Sequence, residues 1–151
     1  MTRLLMVCLG NICRSPLAHG ILQSKLQEDK FYVDSAGTAA YHIGNSPDQR
    51  SIKVAKNQNI NISAQSARQF IVSDFDSFDY IYAMDHSNYL DIISLARNPN
   101  DIEKVTLFLE INTSMENKNV PDPYYGDLSD FEKIYCLINA TCDLIVNTLN
   151  G

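Results

Sequence analysis

Basic side chains are scarce in this chain, with 12 lysines and arginines set against 18 aspartates and glutamates for a net charge of -6. A surface of that sign repels nucleic acid and anionic bilayers, so neither is an expected partner. Long apolar runs are missing as well. The first nine residues hold one basic side chain and an apolar stretch too short for a secretion signal or a bilayer span, and a cytosolic, reducing compartment is expected. The four cysteines, Cys8, Cys13, Cys136 and Cys142, show no CxxC spacing, which fits neither a disulfide scaffold nor a zinc site. His19, His42 and His86 do not cluster as ligands would, and no metal or other cofactor is expected. There are no repeats, low-complexity tracts or linkers, so residues 1–151 suit one domain, expected as a monomer.

What the chain does have begins at its first strand. Leu4, Leu5, Met6 and Val7 form an unbroken apolar run of the kind buried on both faces of a sheet. Val7-Cys8-Leu9-Gly10-Asn11-Ile12-Cys13-Arg14-Ser15-Pro16 follows, with Ser15 as a helix cap and Pro16 at the first helical position. The turn between strand and helix must be tight, and Gly10 and Asn11 tolerate the left-handed backbone it needs. Backbone N–H groups from Leu9 to Arg14 can then converge on one anion, with a helix N-terminus behind them. Such surroundings favour a thiolate at Cys8, and the planar fork of Arg14 can hold two phosphoryl oxygens at once. The plain alternative is a buried cysteine and a surface arginine that share a loop by accident.

Beyond the loop, strand-like and helix-like segments alternate. Leu17, Ile21, Leu22 and Leu26 recur at helical spacing. Phe31 to Val33 reads as a second strand ended by Ser35-Ala36-Gly37-Thr38, and Ser46 before Pro47 signals a second helix with Ile52 and Ala55 inward. An acidic turn from Asp74 to Asp79 precedes a third strand, Tyr80 to Ala83, after which Asp85 caps a helix carrying Tyr89, Ile92, Ile93 and Leu95. Val105, Leu107 and Leu109 suggest a fourth strand, and a long helix from Ser129 closes the chain through Phe131, Ile134, Ile138, Cys142, Ile145 and Leu149. This alternation implies an α/β fold, a parallel sheet with helices on both faces and ligands bound beyond the carboxyl ends of its strands.

A second chemical stretch, Pro121-Asp122-Pro123-Tyr124-Tyr125-Gly126-Asp127, precedes that last helix. Prolines on both sides of Asp122 restrict its backbone and remove local hydrogen-bond competition, so the carboxyl can be aimed away from the chain. Spacing alone leaves two readings open, an acid aimed at a substrate or a solvated turn. Asp127 reads as a cap or surface charge.

CLGNICRSP near the start, DSAGT at Asp34 to Thr38, SPDQR at Ser46 to Arg50, ARQ at Ala67 to Gln69, AMDHSN at Ala83 to Asn88 and DPYYG at Asp122 to Gly126 together resemble the low-molecular-weight protein tyrosine phosphatases over nearly the whole chain. The resemblance implies a single-domain α/β fold with a four-stranded parallel sheet of flavodoxin-like winding. It also implies hydrolysis of phosphotyrosine in proteins or peptides, inhibition by inorganic phosphate or other oxyanions, and a phosphocysteine intermediate. In that family Cys8 would be the nucleophile, Arg14 and the loop amides would bind phosphate, and Asp122 would be the general acid and then the base. Ser15 would assist the sulfur, while Asn11 would brace the loop through Ser35 and a histidine at the position of Gln65. Gln65 departs from the family pattern, as does Gln49, which stands where the family usually has proline. Leu9, Ile12, Tyr41, Tyr124 and Tyr125 match positions that wall the family's cleft, whose depth admits a flat phenyl phosphate more readily than phosphoserine.

Some readings stay open at this level. Cys13 is either a partner for Cys8 in a reversible disulfide or a small buried side chain, and Cys136 and Cys142 are assigned to packing. Tyr41 suits cleft and rim equally. An arsenate reductase could use the same loop but would need two further cysteines near one mobile segment, and Ala83 to Asn100 has none. A non-catalytic phosphotyrosine-binding module would leave Asp122 without a purpose. An ATP-binding loop lacks its Gly-Lys-Ser/Thr ending here.

Overall fold

The apolar run at the start of the chain becomes the centre of a sheet. In a computed structural model that describes residues 1–150, β1 (Thr2–Cys8) pairs in parallel with β2 (Phe31–Gly37) on one side and β3 (Tyr80–Ala83) on the other. β4 (Val105–Leu107) pairs in parallel with β3, which gives the order β2-β1-β3-β4. This is the expected flavodoxin-like winding of a single α/β domain, with its switch point between β2 and β3 at the end of β1.

Alternate residues of β1 enter different cores. Leu4, Met6 and Cys8 join α1 (Arg14–Lys25), α2 (Gln49–Lys56) and α6 (Leu128–Asn150), whose Phe131, Ile134, Ile138 and Ile145 are buried there. Leu5 and Val7 join Phe75 of α3 (Asp74–Ser77), Phe78, and Ile92 of α4 (His86–Ile93). Each fully buried leucine or isoleucine among them stabilises the fold by about 1.5–3 kcal/mol relative to an exposed position. The first turn of α1 is therefore fixed from beneath by Leu17 and Ala18, both fully buried.

Several expected boundaries shift. β2 runs on through Ser35, Ala36 and Gly37, because β1 continues to Cys8 and offers them partners. Asp48, not Ser46, caps α2, accepting the N–H of Arg50 at 2.8 Å. The acidic turn contains α3, and Leu95 lies beyond the end of α4. Leu109 belongs to a 3-10 turn (Phe108–Ile111) rather than to β4. A further short helix, α5 (Pro99–Glu103), has no counterpart among the expected elements and is held by its Asn98 cap and by Arg97 on Asp101. Among the described residues no helix is long and apolar enough to cross a membrane.

Candidate active site

β1 delivers Cys8 to the carboxyl edge of the sheet, and α1 starts six residues later at Arg14. Between them the backbone turns through Asn11, whose φ of 58° is the left-handed conformation that asparagine tolerates better than most residues. Gly10 does not share it, against expectation; there a Cβ would meet the His42 ring at 2.9 Å. Gly37 is needed for closeness, since a Cβ would come within 2.7 Å of the Leu9 carbonyl and 3.1 Å of the Asn11 nitrogen.

The sulfur is buried and surrounded by donors. Asn11 N–H points to Cys8 Sγ at 3.3 Å, and Ser15 Oγ lies 3.0 Å from it. Ser15 already accepts the Asn11 side-chain amide at 2.8 Å, so its own hydroxyl proton is free to point at sulfur. The expectation that Ser15 caps α1 is therefore corrected: the cap position is Cys13, without a side-chain cap bond. The backbone N–H groups of Leu9, Gly10, Ile12 and Cys13 have no acceptor among the described residues. A loop of unpaired donors at a helix N-terminus is what an oxyanion requires.

The brace on Asn11 also differs from expectation. Its Oδ1 accepts the backbone N–H of Arg68 at 3.1 Å, and the Arg68 guanidinium spans Asp34 and Asp74. Ser35 instead faces His19 Nδ1 at 3.1 Å, and the Gln65 amide donates to the Pro16 carbonyl at 3.1 Å. Gln65 thus ties down the first turn of α1, and Asn11 is braced by the Arg68 backbone on one side and Ser15 on the other.

Arg14 is buried, with Nη1 donating to Asp85 Oδ2 at 2.7 Å and to the Val120 carbonyl at 2.9 Å. Nε and Nη2 have no hydrogen-bond acceptor among the described residues, and Nη2 stands 3.9 Å from Asp122 Oδ2. Burial pulls the guanidinium toward neutrality, but Cys8, the bond to Asp85 and the charges of Asp85 and Asp122 outweigh it, so Arg14 is held above its ordinary pKa. Asp85 thus serves twice, since its Oδ1 caps α4 through Asn88 N–H while Oδ2 orients Arg14. The first task was visible in the sequence and the second was not.

Asp122 is exposed on its proline-flanked loop, but its Oδ1 accepts the N–H of Tyr124 at 3.1 Å, so local hydrogen bonding is reduced rather than removed. Asp127 is the expected cap, accepting from Ser129 Oγ and Asp130 N–H at the start of α6. Burial, then the charges of Asp48, Cys8 and Asp122, push the Cys13 thiol well above its ordinary range.

These groups meet in a cleft of about 300 Å3 with Cys8, Cys13 and Arg14 at its base and Asp122 at its edge. Leu9, Ile12, Tyr41, Tyr124 and Tyr125 line it, together with His42, which no local pattern announces. Tyr124 meets Tyr125 edge-on with ring centres 4.9 Å apart, and Tyr125 is 95% exposed. A larger cavity of about 510 Å3 lies at the opposite end of the strands, between Tyr80, Tyr82 and the end of α6, but it holds neither cysteine nor arginine.

Residues 3–151 match the family model for low molecular weight phosphotyrosine protein phosphatase. The phosphatase of that name from Dictyostelium discoideum is 40% identical over 97% of this chain and 91% of its own length. The one from Homo sapiens is 41% identical over 87% of this chain and 85% of its own length. Among solved structures, a protein tyrosine phosphatase from Entamoeba histolytica, crystallised with Hepes in its active site, superposes with a TM-score of 0.93 at 34% identity, covering 99% of this chain and 97% of that one. A strand that ends on a cysteine, a loop of free amides and an arginine fork beside an aspartate thus agree with the kinship of the whole sequence: the chain belongs to the low molecular weight phosphotyrosine protein phosphatase family.

Proposed function

We propose that this phosphatase hydrolyses phosphotyrosine in proteins or peptides, and aryl phosphates generally, through a phosphocysteine intermediate. The observation that carries the reading is the joint placement of Cys8 Sγ between the Asn11 and Ser15 donors with the open edge of Arg14 beside Asp122. Cys8 attacks phosphorus while the loop amides from Leu9 to Arg14 and the Arg14 fork take up the charge spreading over the phosphoryl oxygens. The ester bond breaks as Asp122 gives its proton to the leaving phenol oxygen. Asp122, now a carboxylate, removes a proton from water, whose oxygen displaces Cys8 from phosphorus and releases inorganic phosphate. Ser15 donates to sulfur as it leaves. The aromatic walls from Tyr41 to Tyr125 suit a phenyl ring, and the Hepes in the Entamoeba active site, a sulfonate, supports a pocket for tetrahedral oxyanions such as phosphate. A monomer working in the reducing cytoplasm fits four free cysteines and a net negative surface.

The direct assay is hydrolysis of a phosphotyrosine peptide with chelator present. Asp122→Ala should lower turnover of phenyl phosphate by about 10² to 10³ while nitrophenyl phosphate, whose leaving group needs no proton, falls far less. Equal losses would mean that Asp122 is not the acid. Asp127→Ala is the matched control.

The two cysteines at the base of the cleft support a redox step. Peroxide oxidises Cys8 to a sulfenic acid, and Cys13 attacks it, losing its proton and expelling water to leave a disulfide. Burial pushes the Cys13 thiol above its ordinary range, and closing the disulfide requires that thiol to give up its proton. Peptide mapping after mild peroxide should find Cys8 joined to Cys13; Cys8 sulfinic acid without the cross-link would remove the step.

A further inference from the structure

The loop that carries Asp122 and the loop that carries Cys8 lie more than a hundred residues apart in sequence, and one side chain touches the framework of both. Arg50, on the first turn of α2, turns one edge of its guanidinium to Asp48, with Nε 3.0 Å from Oδ1 and Nη2 2.9 Å from Oδ2. The other edge reaches the Asp122 loop, where Nη1 donates to the Gly126 carbonyl at 2.8 Å and Nη2 to the Tyr124 carbonyl at 2.9 Å. The plane of the group rests on the Phe131 ring at 4.3 Å, so the fork cannot tilt freely. On the phosphate side Asp48 is itself tied down, because its backbone N–H donates to the Ile12 carbonyl at 2.8 Å. Ser51, one residue beyond Arg50, donates to the Cys13 carbonyl at 3.3 Å.

Four of the five guanidinium N–H donors can be counted in these contacts, in a planar arrangement that a lysine cannot copy. Asp122, by contrast, accepts a single hydrogen bond among the described residues, from the N–H of Tyr124, with Arg14 Nη2 standing off at 3.9 Å. We infer that Arg50 is a positioning residue for catalysis, a clasp that sets the distance between the proton donor Asp122 and the phosphate loop by gripping the Tyr124 and Gly126 carbonyls from Asp48. The inference rests on the reading of Asp122 as general acid. The role fits the geometry: fixing Tyr124 fixes the N–H that orients the Asp122 carboxyl, two residues earlier.

The test is a leaving-group series. kcat/KM is measured for aryl phosphates from nitrophenyl to phenyl with the wild type, Arg50→Lys, Arg50→Ala, Asp122→Asn and the Arg50→Lys/Asp122→Asn pair. Arg50→Lys should lose about tenfold on phenyl phosphate and less than about threefold on nitrophenyl phosphate. Inhibition by inorganic phosphate should move less than about twofold, which shows that the phosphate loop is intact. On the Asp122→Asn background the lysine substitution should add no further leaving-group dependence, because there is no proton left to position. Equal losses on both esters, or selective losses that add to those of Asp122→Asn, would overturn the clasp. A steep Asp122→Asn series with a flat Arg50→Lys series removes the clasp alone, whereas a flat Asp122→Asn series removes the general acid and the clasp with it. Arg50→Ala is read only if its melting temperature shows a folded enzyme, and the lysine variant carries the conclusion otherwise.

Discussion

Cys8→Ser should abolish turnover, by roughly 10⁵-fold or more, while the protein still binds inorganic phosphate. The two halves of that result follow from different atoms. On the proposed reading phosphate is held by the amides between Leu9 and Arg14 and by the Arg14 fork, and of these the substitution touches the Asn11 N–H alone, which faces Cys8 Sγ at 3.3 Å. Attack on phosphorus needs an activated nucleophile, and a serine hydroxyl at this position would face Ser15 Oγ and the Asn11 N–H, neither of which is a general base. Rapid-quench labelling checks the same point from the other side, since phosphorus should appear on the Cys8 peptide of the wild type and on no peptide of the variant. A wild type that turns over without labelled cysteine would defeat the mechanism, and one that binds phosphotyrosine without turnover would leave only a binding module.

Arg14→Lys should lower kcat/KM by about 10³ and weaken phosphate inhibition together. The side chain does two jobs with one plane: Nη1 is committed to Asp85 and the Val120 carbonyl, which frees Nε and Nη2 for two phosphoryl oxygens. An ammonium keeps the charge but cannot present both edges, so either Asp85 is left without its partner or the substrate is. Arg14→Ala adds a stability cost, because it strips a partner from the buried Val120 carbonyl and from Asp85. Parallel inhibition and melting curves separate the two. A lysine variant with intact phosphate inhibition would show that the amides alone hold the anion.

Most of the architecture could be read from the order of residues, for reasons that are local. β1, β3, the Asp85 cap and the closing helix announce themselves in runs and spacings that the folded chain uses directly. What escaped depends on partners far along the chain. Ser15 looks like a cap from its neighbours, yet its hydroxyl is engaged by Cys8 and Asn11. Ser46 before Pro47 has the form of a helix start, but Asp48 gains both Arg50 and a tie to Ile12, and those contacts move the start two residues on. The pairing of Arg14 with Asp85 spans 71 residues, and the reach of Arg50 to Tyr124 spans 74. No periodicity encodes such separations, and α5 has too short a span for any to be seen.

The amides of the turn after β1 are held in place by the fold itself, through Asn11 on the Arg68 N–H and the close approach to Gly37. A receptor already in its final shape incurs no ordering penalty on binding. It also discriminates weakly between an ester about to be cut and the free anion left afterwards, since both display the same three oxygens to the same hydrogens. On the proposed function such a receptacle would carry its own brake: accumulated product would occupy the seat meant for the next substrate, and the pace of the enzyme should follow the phosphate concentration around it.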